Sequence, residues 1–261
     1  MIKHVNWFKE DEEKFLETLT KEKVRIIDYE YLMDNQDDIS NWAKHLRNHY
    51  CKDSEIDFLR NGTGLSRKEY LEQIKFPEKG HIISGDFSEI LVADFLEYLR
   101  TYKIPRTRYL DKINKDTSPN GTDIIGFKII NGSGKDELIT CEVKARIATS
   151  KEDIVQEAVT HAKKDVIRIA ESLNAMKRTL YLAGDSKNVE LVERFQNKVD
   201  RPYKRITTAA IVHSNEHWSS ELVTTKELDT EDIENLDIIV IKGVKMMDLA
   251  RMLYRRACDE A

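Results

Sequence analysis

The sequence predicts an α/β fold: a mixed β-sheet flanked by helices, with an N-terminal mixed α/β extension. Three observations carry this. Two extended runs, "DIIGFKII" and "ELITCEVKA", lie on either side of "NGSGKD", the pattern of a β-hairpin with a longer loop. A long segment with apolar residues at helical spacing follows the hairpin. Beyond it, the β-rich runs "ITTAAIVH" and "LDIIVIKG" lead into a final helix. Strands interleaved with helices in this way build a sheet covered on both faces.

In chain order, Trp7 to Leu19 reads as a helix, Val24 to Leu32 as extended, and Ile39 to Tyr50 as a helix. The turn-like "RNGTGLS" and "FPEKG" close this first region. Residues 1–80 are expected to dock on a core formed by residues 81–261. From Gly85, "GDFSEILVADFLEYL" sets Phe87, Leu91, Phe95 and Leu99 on one helical face. A short strand is expected over Thr107 to Ile113, then a polar turn, "NKDTSPNGT", and the hairpin. Thr149 or Ser150 is placed to cap a long helix from about Glu152 to Met176. Its buried stripe reads Val155, Ala158, Val159, Ala162, Val166, Ile169 and Leu173. A short helix over Val189 to Lys198 and a last one over Met246 to Arg256 complete the order. With ten glycines, four prolines and no internal repeat, nothing marks a long linker.

The 261 residues are 40% hydrophobic and 34% charged, a globular balance with ample length for a packed core. No apolar run reaches the roughly 20 residues that a bilayer span needs. The start, "MIKHVNWFKEDEEKF", holds no apolar secretory segment, so the expected location is the cytoplasm. Cys51, Cys141 and Cys258 are far apart and odd in number, which disfavours a disulfide framework or a zinc knuckle. The net charge is −5, whereas a protein that grips a polyanion alone usually carries a basic excess. Nucleic-acid binding would need local patches, a metal ion or a partner. Candidate patches are Lys103, Arg106 and Arg108; Lys144, Arg146 and Lys151; Lys163, Lys164 and Arg168; and Arg201, Lys204 and Arg205. Taken singly, each reads as a solvated face.

The hairpin carries the chemistry. Side chains alternate along a strand, so Thr140, Glu142, Lys144 and Arg146 share one face. A loop of "NGSG" sets Asp123 opposite Glu142, and a loop of "NGSGKD" sets it opposite Lys144; a slip of one residue separates them. Two carboxylates converging beside an ammonium make a hard oxygen site suited to Mg²⁺ or Mn²⁺, with the Val143 carbonyl as a further oxygen. A metal there polarises a phosphoryl oxygen and acidifies a water, while Lys144 stabilises charge on the phosphate and holds the water. The bland alternative is an amphipathic strand facing water, with Asp123 merely ending a turn.

The combination of Pro119 and Asp123, the hairpin, Glu142-x-Lys144 and a following helix resembles the PD-(D/E)XK nuclease superfamily. It covers roughly Gly85 to Val212, and the spacing between Pro119 and Asp123 departs from the strict motif. The resemblance implies a restriction-endonuclease-like αβββαβ core and metal-dependent phosphodiester cleavage. Asp123, Glu142 and Lys144 would be catalytic. Many members place a glutamate on the first core helix, where Glu89 stands as a further metal ligand; Asp86 and Glu89 equally have the spacing of a capping box. Arg146, Lys151 and Lys163 are the nucleic-acid contacts expected, and Gln156 is a weaker candidate beside Lys163. The wider pattern "GHIISGDFSEILVADFL … GTDIIGF … CEVKAR" is similar to HamA, the nuclease subunit family of the bacterial Hachiman anti-phage defence system. That similarity implies DNA as substrate and a superfamily-two helicase subunit that restrains the nuclease until DNA is abnormal. Neither a membrane nor a small-molecule cofactor is expected. The alternatives are a non-catalytic interaction subunit that keeps the fold as a scaffold, and a restriction-type endonuclease.

Other signals weigh less. "HSNEH" over His213 to His217 fits H-x-x-E-H, but it abuts a β-rich run and contains a turn signal, so it reads as a loop and not a zinc-protease helix. His161 reads as an exposed helix residue. Trp7, Trp42 and Trp218 are dispersed, like core residues and unlike a stacking platform. No GxxxxGK[ST] string occurs, which disfavours an autonomous NTPase.

Overall fold

The strands are β1 (Phe8–Glu17), β2 (Lys23–Tyr29), β3 (Ile124–Lys128), β4 (Asp136–Arg146), β5 (Tyr203–Ser214) and β6 (Leu236–Gly243). The computed structural model describes residues 2–110, 112–130, 135–149 and 153–261, without the side chains of residues 12–14 and 166. The six strands form one sheet in the order β1-β2-β6-β5-β4-β3. The inner neighbours β2, β6, β5 and β4 run parallel, and β1 and β3 close the two edges antiparallel. The fold is therefore α/β, with a mixed sheet between layers of helix.

The helices are α1 (Gln36–Tyr50), α2 (Ile56–Arg60), α3 (Arg67–Tyr70), α4 (Gly80–Asp94), α5 (Ile154–Leu182), α6 (Ser186–Gln196), α7 (Glu221–Thr224) and α8 (Met246–Asp259). Period-two alternation sorts the sheet residues between them. Cys141, Val143, Ala210, Val212, Ile239 and Ile241 pack toward α1, α4 and α8. Ala209, Ile211, Ile238 and Val240 pack on the start of α5, against Val155, Ala158 and Ala162. The far end of α5 joins α6 over Ile125, Phe127 and Leu138. The first eighty residues share this sheet and core. β2 pairs with β6, and Trp7 and Trp42 pack edge to face, with Trp42 against Phe87 of α4. Among the described residues, no helix is long and apolar enough to cross a membrane.

Several expectations need correction. Trp7 to Leu19 is strand β1 after a short 3₁₀ turn, not a helix. Its charged residues have helical propensity, but pairing with β2, Phe8 opposite Tyr29 and Leu16 opposite Val24, overrides it. None of the described residues of 104–113 lies in a strand; only Lys103 makes an isolated bridge, to Phe127. Pro105 lacks an N–H for a ladder, and Arg108, Tyr109 and Lys112 all turn inward to the carboxylates of α4. The helix expected from Gly85 starts at Gly80, with Lys79 at its N-cap. Asp86 and Glu89 are therefore interior residues and form no capping box. Leu99 is exposed because Phe95–Leu99 is a π-helical turn, which breaks the 3.6-residue period. Asp153, not Thr149, precedes α5; Ser150, Glu152, the hairpin loop residues 131–134 and the side chain of Val166 lie outside the described residues.

Candidate functional site

β4 runs on past the first residue of β3, and this offset builds the site. Ile124 stands opposite Cys141, which continues to Asp123 opposite Glu142, the register of the shorter loop. Beyond Cys141, β4 keeps β5 on one side and has an open edge on the other. The Val143 N–H on that edge donates to Asp123 Oδ2 at 2.9 Å, which fixes the aspartate at the strand end. A strand residue sends its N–H and C=O to the same side, so the Val143 carbonyl leaves on this edge too.

Glu142 and Lys144 share the face toward α5. Lys144 Nζ donates to Glu142 Oε1 at 2.6 Å and to His161 Nδ1 at 3.0 Å, and His161 Nδ1 is 3.4 Å from Glu142 Oε1. Glu89 reaches the group from α4 through a cation. Arg108 Nε donates to Glu89 Oε2 at 2.5 Å, and its terminal nitrogen donates to Asp123 Oδ1 at 2.5 Å. The Tyr109 hydroxyl also donates to Glu89. Glu89 and Asp123 thus flank a guanidinium and do not meet directly.

Burial sets the electrostatics. It pushes the Glu89 carboxyl up to about 7, helped by the Asp123 charge and opposed by Arg108 and Tyr109. Asp123 and Glu142 are raised for the same reason; Arg108 and the Val143 N–H oppose the shift in Asp123, and Lys144 opposes it in Glu142. Arg108 beside Glu89 and Asp123, and Lys144 beside Glu142, offset part of the cost of burying these charges.

The group forms the floor of a cleft of about 750 Å³. His81 and Arg251, from α4 and α8, line one wall, and Lys164 and Arg168 of α5 line the other; all four are exposed. A second cavity, of about 290 Å³, lies behind Glu89 and Arg108 and extends to His49 and Arg106.

Asp123, Glu142 and Lys144 come together as the hairpin register expects, with Val143 between them. Arg146 lines the cleft, paired with Glu157 at 3.0 Å. Lys163 instead lies 3.7 Å from Asp232, because its neighbours Lys164 and Arg168 occupy the cleft side of α5. Gln156 is tied to Thr160 and to the Asp229 backbone, and Lys151 lies outside the described residues. Two participants were not foreseen. Arg108 appeared only as part of a basic patch, and His161 as an exposed residue. The available signal for His161 was a polar stripe, His161, Asp165 and Arg168, at helical spacing opposite the apolar one.

The donors suit a hard divalent cation. Two carboxylates and a backbone carbonyl are the oxygen ligands that Mg²⁺ takes, and Arg108 already holds one of those carboxylates as a cation would. The H-x-x-E-H string forms no metal pair: His213 is buried at the end of β5, and Asn215–His217 is a single 3₁₀ turn.

Compared with curated proteins, the chain matches none. The family model HamA matches residues 3–257, nearly the whole chain. The chain belongs to the HamA family, of the Hachiman antiviral defence system.

Proposed function

We propose that the chain is a Mg²⁺- or Mn²⁺-dependent deoxyribonuclease of the PD-(D/E)XK type, restrained by a superfamily-two helicase partner in the bacterial cytoplasm. The observation that carries this reading is the meeting of Asp123, Glu142 and Lys144 at the open end of β4, on the floor of a cleft with basic walls. Asp123, Glu142 and the Val143 carbonyl would hold the metal, and the chemistry it supplies is polarisation of a phosphoryl oxygen and acidification of a water. Lys144 orients the attacking water and neutralises charge on the phosphate. Glu142 and His161 hold that ammonium in place, and Glu89 acts from behind through Arg108. His81, Arg146, Lys164, Arg168 and Arg251 steer the phosphate backbone into a chain that is acidic overall, and the helicase supplies the remaining grip.

The test is cleavage of plasmid DNA by the purified chain with its helicase partner and Mg²⁺. Glu142→Gln and Lys144→Ala are each expected to lower the rate about 10²-fold or more with folding intact. Unchanged cutting in both removes these residues from the mechanism. The Arg108 clamp on Asp123 favours a second reading, a non-catalytic scaffold. A scaffold gives no Mg²⁺ binding heat that depends on Asp123 or Glu142.

A further inference from the structure

Behind the cleft, α1 and the end of α4 meet in a cluster of imidazoles around one carboxylate. His45 and His49 are one turn apart on α1, so both rings leave the same helix face. Asp94, the last residue of α4, is fully buried. Its Oδ1 lies 3.0 Å from His45 Nε2, which lies 3.2 Å from His49 Nε2. Among the described residues, one ligand atom from each of these three lies within 4.8 Å of the other two.

A ring nitrogen has one in-plane site, holding either a proton or a lone pair. That single site on His45 Nε2 faces both Asp94 and His49. A proton there must be shared between them, and its loss sets a lone pair against a carboxylate. A cation resolves this by taking one lone pair from each of the three atoms. At zinc–ligand bonds of about 2.0–2.1 Å, tetrahedral donors stand about 3.3–3.4 Å apart; two of the three separations here are close to that, at 3.0 and 3.2 Å, and the third is within 4.8 Å.

We propose that His45, His49 and Asp94 form a site for a transition-metal ion of the zinc class, clamping α1 onto the end of α4. Paired imidazoles favour zinc, cobalt or nickel over magnesium. The surroundings resemble the outer support of such sites, which orients the ligands. His4 Nε2 lies 3.0 Å from the second Asp94 oxygen, and its ring stacks on Trp42 with centroids 4.5 Å apart. Arg106 donates to Asp94 Oδ1 at 2.7 Å and is itself neutralised by Glu97 at 2.8 Å. The bound ion fixes α4, the helix that carries Glu89 to the candidate active site.

The experiment uses the full chain, stripped with chelator and then loaded separately with Zn²⁺ and with Co²⁺ as a visible probe. Metal content is measured after gel filtration, alongside the Co²⁺ absorption spectrum. About one equivalent of Zn²⁺ and a ligand-field band are expected in the natural sequence and in the Asp123→Asn, Glu142→Gln double variant. Both signals are expected to vanish in the His45→Gln, His49→Gln double variant. A natural chain that keeps no Zn²⁺ and shows no Co²⁺ band overturns the proposal. So does Zn²⁺ that survives loss of the histidines but not of Asp123 and Glu142. If the double histidine variant does not fold, His49→Gln alone is read by Zn²⁺ affinity: about 10-fold weakening or more supports the site, and no change overturns it.

Discussion

Replacing Arg108 by leucine separates the two carboxylates from the cation that holds them. In the folded chain, Arg108 bridges Glu89 and Asp123 with its side chain largely buried. Losing the direct hydrogen bonds costs about 1–2 kcal/mol at any pH. The larger loss depends on pH. With the guanidinium gone, burial drives both carboxyl groups to a pKa above the working range, so they take up protons. Each unit of pH above the natural pKa, about 7 for Glu89, then adds about 1.4 kcal/mol per carboxylate to the deficit. Asp123 is likewise pushed up to about 7, so at pH 8 the two together add about 3 kcal/mol, for a total of about 4–5 kcal/mol, in the range for breaking a buried ion pair. At pH 5.5 both groups are already largely protonated in the natural chain, so only the hydrogen-bond loss of about 1–2 kcal/mol remains. Urea unfolding at the two pH values, with unchanged slope, reads the difference directly. Equal destabilisation at pH 5.5 and pH 8 would refute the view that Arg108 acts by compensating buried charge.

The same carboxylates set the natural chain's response to pH. A carboxyl whose folded pKa is raised binds more protons folded than unfolded, so its contribution is complete below about pH 4, falls as pH rises through about 7, and is flat above. Divalent metal must displace those protons. Mg²⁺ binding by calorimetry is therefore expected to tighten from pH 5.5 to 8 and release protons to the buffer, whereas pH-independent binding contradicts the assignment of Asp123 and Glu142. His161→Ala is expected to slow cleavage about 10-fold and shift its pH profile, because Lys144 loses one of its two acceptors. A rate and profile like those of the natural chain would leave His161 a bystander. Gly243→Ala would put a Cβ 2.8 Å from the Tyr29 carbonyl oxygen, and the β2–β6 pairing leaves that carbonyl little room to retreat. A loss of about 1–3 kcal/mol in unfolding free energy is expected, and none if the strand end can shift.

The hairpin, the long helix and the last two strands were legible because their periodicity is local and strongly patterned. The meeting of Asp123 with Glu142 was legible for the same reason: side-chain alternation and loop length bound the register to a few choices. Strand β1 was not, since its residues favour a helix and only the distant β2 makes it a strand. The segment after α4 departs from the expected strand because its direction is set by Arg108, Tyr109 and Lys112 reaching back to carboxylates 19 to 26 residues earlier on a buried helix. The amino-acid order by itself determined the α/β class, the site's three polar residues and the family resemblance, all of which depend on spacing along the chain. Only the tertiary structure decided that Glu89 meets a guanidinium, that His161 braces Lys144, and that His45 and His49 close on Asp94. Those contacts join residues whose separation in sequence carries no period, so burial and charge, not pattern, bring them together.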